Sequence, residues 1–203
     1  MQWWLSPSRE LSRAESEALL RRFVEASRRA EITGLMNLAH SSKELAEMVG
    51  EELCEACEAE VAFIIGRRSP APPELVGSIG LSAGESAAVL EDVLAVTALE
   101  MEIPRAVAGE DLLGIGARSV LVASAAGGDG QRVGVGIARL YDEAFHEAEV
   151  TLVDAVTRHL AHAIEHLWGR EEVLRAQSQL ISWLMPLRPV NVLEDLEGSI
   201  PDA

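Results

Sequence analysis

Cysteine is scarce in this chain: its 203 residues include two, Cys54 and Cys57, too few for the disulfide framework of a small secreted domain. Positive charge is scarce as well, with 17 Lys and Arg against 33 Asp and Glu and a formal net charge of −16. That balance excludes nucleic acid as a direct partner, because phosphate backbones are held by clustered basic side chains. Residues 1–30 depart from the trend with six Arg against four Glu, a net +2 that leaves −18 for the remainder. Arg and Glu interleaved in this way make a solvated helix face. Long apolar runs are missing: Val61–Ile65 is typical, far short of the roughly 20 residues a membrane span needs. No charged segment followed by an apolar one opens the chain, since Met1-Gln2-Trp3-Trp4-Leu5 passes directly into Ser-Pro-Ser-Arg-Glu. A soluble, cytoplasmic protein without a membrane partner is the expectation. Catalytic groupings are sparse too. The serines in apolar context, Ser82 of Gly80-Leu81-Ser82-Ala83-Gly84 among them, have no His at a motif spacing. A phosphate-cradling Gly-x-x-x-x-Gly-Lys is absent, and Gly114-Ile115-Gly116 precedes a strand pattern instead of opening a helix. No enzyme activity, cofactor or resident metal is expected.

Apolar residues make up 48% of the chain, enough for the core of one domain with flanking helices. The most informative stretch runs from Gly109 to Phe145. Arg118–Ala125 and Arg132–Leu140 alternate as strands do, and Gly127-Gly128-Asp129-Gly130 between them has the residues of a tight turn. Gly134 and Gly136 interrupt the second strand, which predicts that a helix or a ligand approaches that sheet face closely. Upstream, residues 9–40 follow a helical pattern that Ser6 or Ser8 can cap, with Leu35, Met36 and Leu38 on its stripe and Gly34 as a possible bend. Ser41 and Glu44 have capping-box spacing at the head of a helix to about Glu58 that turns Leu45, Met48, Val49, Leu53 and Cys57 inward. Strands are expected at Val61–Gly66 and Glu74–Gly80, then one helix over Glu85–Met101, then a short edge strand at Arg105–Ala108.

The final helix starts near His146 and meets no proline before Pro186. Val153, Val156, Leu160, Ala163, Leu167, Leu174, Ile181 and Leu184 fall on a seam with alternating spacings of three and four, with Arg170 and Gln177 filling it. This is the pattern of a coiled coil, and it continues beyond what one small domain can cover. It predicts a homodimer through parallel helices, in which the N-terminal helix joins a bundle. Residues 186–203 are acidic and unpatterned and read as a disordered tail.

Element order and three motifs give the chain a resemblance to GAF domains over about Ser41–Trp168. The motifs are the helix-to-strand run SKELAEMVGEELCEACEAEVAFIIG, the loop and strand entry Asp111-Leu112-Leu113-Gly114-Ile115-Gly116-Ala117-Arg118-Ser119-Val120-Leu121-Val122, and Gly130-Gln131-Arg132-Val133-Gly134-Val135-Gly136 with Phe145 and the acidic-headed helix beyond. The resemblance implies an α+β, GAF/PAS-like fold. In it a central antiparallel sheet carries the N- and C-terminal helices on one face and a small-molecule pocket on the other. The implied layout is a helical segment at 1–40, the domain at 41–168, a coiled-coil-like extension at 169–185 and the tail at 186–203. Family members sense ligands or act as dimerising signalling modules that work through an output partner. Here the pocket would lie under the Glu85–Met101 helix, with Ser78, Ser82, Thr97, Arg105 and Arg139 as candidate ligand contacts. The Asn-Lys…Phe-Asp-Glu set of the cyclic-nucleotide-binding members is absent.

Two further groupings carry chemistry in principle. Cys54 and Cys57 stand three apart, and the resemblance extends to GAF-type methionine sulfoxide reductases. Their place near the C-terminal end of a helix is wrong for an activated thiol, because the helix dipole there raises its pKa, so burial as small apolar side chains is the simpler reading. His159, His162 and His166 form a stripe on the last helix, a spacing that also suits a mixed flank at a helix–helix contact.

Overall fold

A computed structural model describes residues 26–128 and 130–184; the expectations for the Ser6 or Ser8 cap, for Asp129 and for the 186–203 tail lie outside these. A first helix, α1, covers 26–35 of the described chain. It ends earlier than the pattern to His40 suggests, and Leu38 falls in the turn beyond it, exposed. Helix α2 (Ser42–Ala56) starts where the Ser41 hydroxyl accepts the Glu44 N–H. The reciprocal half of the box is displaced by one residue: the Glu44 carboxylate accepts from the His40 N–H at 2.8 Å, not from Ser41. Arg28 of α1 donates to the Ala56 carbonyl at 3.1 Å, tying the two helices at the end of α2.

Among the described residues five strands follow: β1 (Val61–Arg67), β2 (Glu74–Ile79), β3 (Arg105–Leu112), β4 (Ala117–Ala126) and β5 (Arg132–Arg139). They form one antiparallel sheet in the order β2-β1-β5-β4-β3. The hairpin is thus β4–β5, and β5 is its central strand. Edge strand β3 runs to Leu112, four residues further than Arg105–Ala108. It leads into a loop where Asp111 and Leu113 take φ of 51° and 63°, a region L-residues seldom occupy. The Asp111 carboxylate holds this loop by accepting the Gly116 N–H at 2.8 Å, and the Leu113 side chain is buried in the core.

Side chains alternate across a strand, and antiparallel partners share a face. One face therefore carries Phe63, Ile65, Val120, Val122 and Ala138, and the other Ala62, Ile64, Leu121, Val135, Ile137 and Arg139. Helix α2 lies on the second face so closely that a Cβ on Gly77 would stand 2.7 Å from Ala46 Cβ, so only glycine fits there. The same face receives the first part of α5 (Glu147–Leu184), whose Glu149 meets Arg139. The terminal helices thus share one face, as expected.

The first face is covered by two short helices in place of the single Glu85–Met101 helix. Helix α3 (Ala83–Glu91) opens on a full capping box, Ser82 and Glu85 bonding each other's backbone. Helix α4 (Val93–Ala98) is separated from it by Asp92, which is extended (φ −71°, ψ 132°) and whose carboxylate takes the Leu94 N–H at 2.7 Å. Aspartate is among the preferred N-caps, and here it starts a second helix where the apolar pattern alone suggests one. The break turns Val93 out to solvent. Helix α5 continues through Gly169 without interruption. The chain divides after Leu167 into two units, Met1–Leu167 and Trp168–Ala203. Among the described residues no helix is long and apolar enough to cross a membrane.

Candidate functional site

On the face where a ligand pocket is expected, Val89, Ala95, Ala98 and Leu99 of the α3–α4 segment meet Val61, Phe63, Ile65, Val120, Val122 and Ala138 of the sheet in one buried cluster. The two glycines of β5 belong to this packing. Phe63 pairs with Gly136 across β1–β5, and its ring occupies the place of the missing side chain, since a Cβ on Gly136 would lie 2.0 Å from Phe63 Cζ. Leu99 stands over Gly134 in the same way, 3.1 Å from a Cβ there. The close approach predicted for this face is thus made by the protein's own aromatic ring and by a leucine just beyond α4.

The five candidate contacts are not brought together. Ser78 is half-buried on β2 opposite Phe63. Ser82 is committed to the α3 cap. Thr97 is exposed and its hydroxyl donates to the Val93 carbonyl of its own helix at 2.6 Å. Arg105 is exposed at the start of the edge strand. Arg139 requires a correction of face, because it stands three residues from Gly136 and so projects to the α2–α5 side. There it is 2% exposed and structural. Its guanidinium donates to the Cys57 carbonyl at 2.6 and 3.2 Å, to the Ala144 carbonyl at 3.1 Å and to the Glu149 carboxylate at 2.5 Å, with the Phe145 ring 4.3 Å away.

Cys57 caps the C-terminus of α2 and is buried, whereas Cys54 is half-buried. Burial, reinforced by Glu149, pushes the Cys57 thiol up to about 12, and burial with Glu60 and Glu51 pushes Cys54 up to about 11. Both shifts suppress the thiolate that redox chemistry needs. His159 Nδ1 contacts its own helix's Ala155 carbonyl at 2.8 Å, and His162 Nδ1 lies 3.7 Å from Glu165. Among the described residues no group of three or more His, Cys, Asp or Glu side chains is gathered for a metal.

The seam residues divide in two. Val153, Val156, Leu160 and Leu167 are buried and Ala163 is half-buried. Beyond Gly169 the apolar residues face outward: Val173 is 56% exposed, Leu174 58%, Leu180 64%, Ile181 54% and Trp183 81%. Leu184 closes α5, and its side chain lies outside the described set.

A cleft of about 370 Å³ opens at the turn end of the β4–β5 hairpin, lined by Glu102, Ser124, Ala125, Ala126, Arg132, Arg158 and His162. Sequence reasoning missed it. The signal present was Asp154, Arg158 and His162 at steps of four, one polar face of α5; the approach of that face to Arg132 and Glu102 is a matter of tertiary packing. Three buried side-chain atoms among the described residues lack a hydrogen-bond partner: Ser119 Oγ, Gln131 Oε1 and Arg132 Nε.

No family model and no curated protein matches the sequence. Solved structures do match the fold. The GAF domain of a putative sensor histidine kinase from Pseudomonas syringae pv. tomato aligns with a TM-score of 0.63 at 11% identity, over 79% of this chain and 98% of its own. The GAF domain of a phosphoenolpyruvate-protein phosphotransferase from Coxiella burnetii gives 0.60 at 18% identity, over 73% and 96%. The photosensory core module of the Stigmatella aurantiaca phytochrome gives 0.56 at 11% identity, over 77% of this chain and 40% of its own. The fold is that of a GAF domain.

Proposed function

From a GAF-domain fold whose similar structures include domains of sensor kinases and a phytochrome, we propose that this chain is a non-enzymatic sensory or adaptor module. It dimerises through parallel α5 helices and passes its state to a protein output partner. The observation that carries the reading is the row of exposed apolar side chains beyond Gly169. Leu174 and Ile181 repeat at seven, as do Val173 and Leu180, with Gln177 between them on the seam. A repeat of seven keeps one stripe facing a partner helix. Burying a large aliphatic side chain fully is worth about 1.5–3 kcal/mol, so the pairs from two chains supply a substantial drive to associate. Gln177 and Arg170, polar residues on the seam, set register and strand number at some loss of stability.

The raised thiol pKa values support the non-enzymatic part over reductase chemistry at Cys54 and Cys57. The packed α3–α4 face supports signalling through helix association more than through a ligand held beneath those helices. Light scattering at micromolar concentration tests the reading. The wild-type chain is expected at the mass of a dimer and the Leu174→Glu/Ile181→Glu variant at the mass of a monomer. A monomeric wild type sinks the proposal, and so does a variant that stays dimeric.

A further inference from the structure

We propose that the cleft at the turn end of the β4–β5 hairpin binds a small oxyanion, a carboxylate or phosphate group on a metabolite-sized molecule. The argument begins at Arg132. Its Nη2 donates to the Met101 carbonyl at 3.3 Å, and its Nε is buried with no partner among the described residues. The Met101 carbonyl also accepts the Ser124 hydroxyl, so both of its lone pairs are engaged and neither serves the Nε–H. Arg132 lines the open cleft, and a guanidinium with donors left unpaired inside the protein favours an acceptor supplied from that side.

Arg158 faces the same space from α5. Its Nε and Nη2 both donate to Asp154 Oδ2, at 3.1 and 2.9 Å. Asp154 therefore fixes the guanidinium while Nη1 is left for another acceptor. His162 is one turn further on in the lining, with Nδ1 3.7 Å from the Glu165 carboxylate. Arg132, Arg158 and His162 thus converge on one cleft in a chain of net charge −16. Its volume of about 370 Å³ lies at the small end of the range for ligand sites. Arginine binds carboxylate and phosphate because its planar fork matches their oxygens.

Glu102 is the one carboxylate among the described residues of the lining, and it narrows the ligand class. It repels a second full charge, and it accepts an N–H or O–H carried beside the anionic group. The preferred ligand therefore has one oxyanion flanked by a hydroxyl or amino donor. The described lining residues all belong to the unit Met1–Leu167, and the exposed α5 stripe to the unit Trp168–Ala203.

Isothermal titration at constant ionic strength, with sodium chloride as the balancing salt, tests the site with inorganic phosphate and with lactate as probes. Saturable binding of one probe per chain is expected. Phosphate alone points to a phosphorylated ligand, lactate alone to a hydroxy acid, and both to recognition of the shared oxyanion. Arg132→Gln and Arg158→Gln are each expected to weaken binding about tenfold, the loss of one charge-assisted hydrogen-bond donor set, and Glu102→Gln to tighten phosphate. Arg158 is on the surface of a helix, so its variant folds even where Arg132→Gln does not. The proposal is overturned if neither probe binds wild-type protein saturably, or if Arg158→Gln binds as wild type does.

Discussion

Arg139 shows how one side chain can hold several elements at once. It joins the end of β5 to the α2 cap at Cys57, to the loop at Ala144 and to Glu149 in the first turn of α5. Removing one partner of a buried pair leaves the other charge uncompensated, at about 3–5 kcal/mol. Arg139→Ala is expected to lower stability in urea by an amount in that range. Arg139→Met with Glu149→Gln is expected to recover part of it, since neither charge then remains; equal losses in the single and double variants would refute the coupling. Cys57 makes a different residue-scale statement. Its thiol is raised from an ordinary value of 9.0 to about 12 in the folded chain, chiefly by burial. Between those values the unfolded chain has lost the proton and the folded chain has kept it, so stability falls as pH rises from about 9 toward 12 and is unaffected by this group below 9. Urea midpoints at pH 7 and pH 10 check this. The alkaline loss is expected to shrink in Cys57→Ala, and an identical loss in the variant removes Cys57 as its cause.

At the scale of elements, the parts of the fold legible in the sequence were those governed by short-range chemistry. The β4–β5 hairpin was announced by its alternation and its glycine turn, and the α5 boundaries by an unbroken helical period. What escaped depended on contacts between elements. Nothing local in Gly134 and Gly136 says that Leu99 and Phe63 cover them, and β5 parity places Arg139 on one face only once the pairing with β1 is known. The Asp92 break was legible in part, for an aspartate before an apolar run is a cap signal, but it competes with the continuous period around it. The Ser82–Glu85 pair has the same capping-box spacing as Ser41–Glu44 and commits Ser82 to the head of α3, which has a measurable consequence. If Ser82 serves the α3 cap, Ser82→Ala costs about 1 kcal/mol of stability and leaves oxyanion titrations unchanged. If it contacts a ligand, binding falls with it.

At the scale of the whole molecule, charge and association oppose each other. Each chain carries −16, so pairing two of them brings twice that charge together, and self-repulsion acts within each chain as well. The exposed Leu174 and Ile181 drive pairing, and burial of apolar area does not depend on salt in the way that repulsion does. Added salt shortens the reach of repulsion, from a screening length of about 30 Å at 0.01 M to about 10 Å at 0.1 M. The thermal midpoint is therefore expected to rise by several degrees over that interval. A dimer that unfolds to separate chains also gains stability by mass action as protein concentration rises. The midpoint should climb between micromolar and tens of micromolar chain in the wild type and stay flat in Leu174→Glu/Ile181→Glu. The salt response should survive in that variant, because the repulsion within one chain is still present. A scanning-calorimetry grid of salt against concentration separates the two effects. A wild-type midpoint indifferent to concentration would remove the dimer, and a midpoint that falls with salt would show that favourable ion pairs such as Arg68–Glu74 and Arg139–Glu149 outweigh the net negative field.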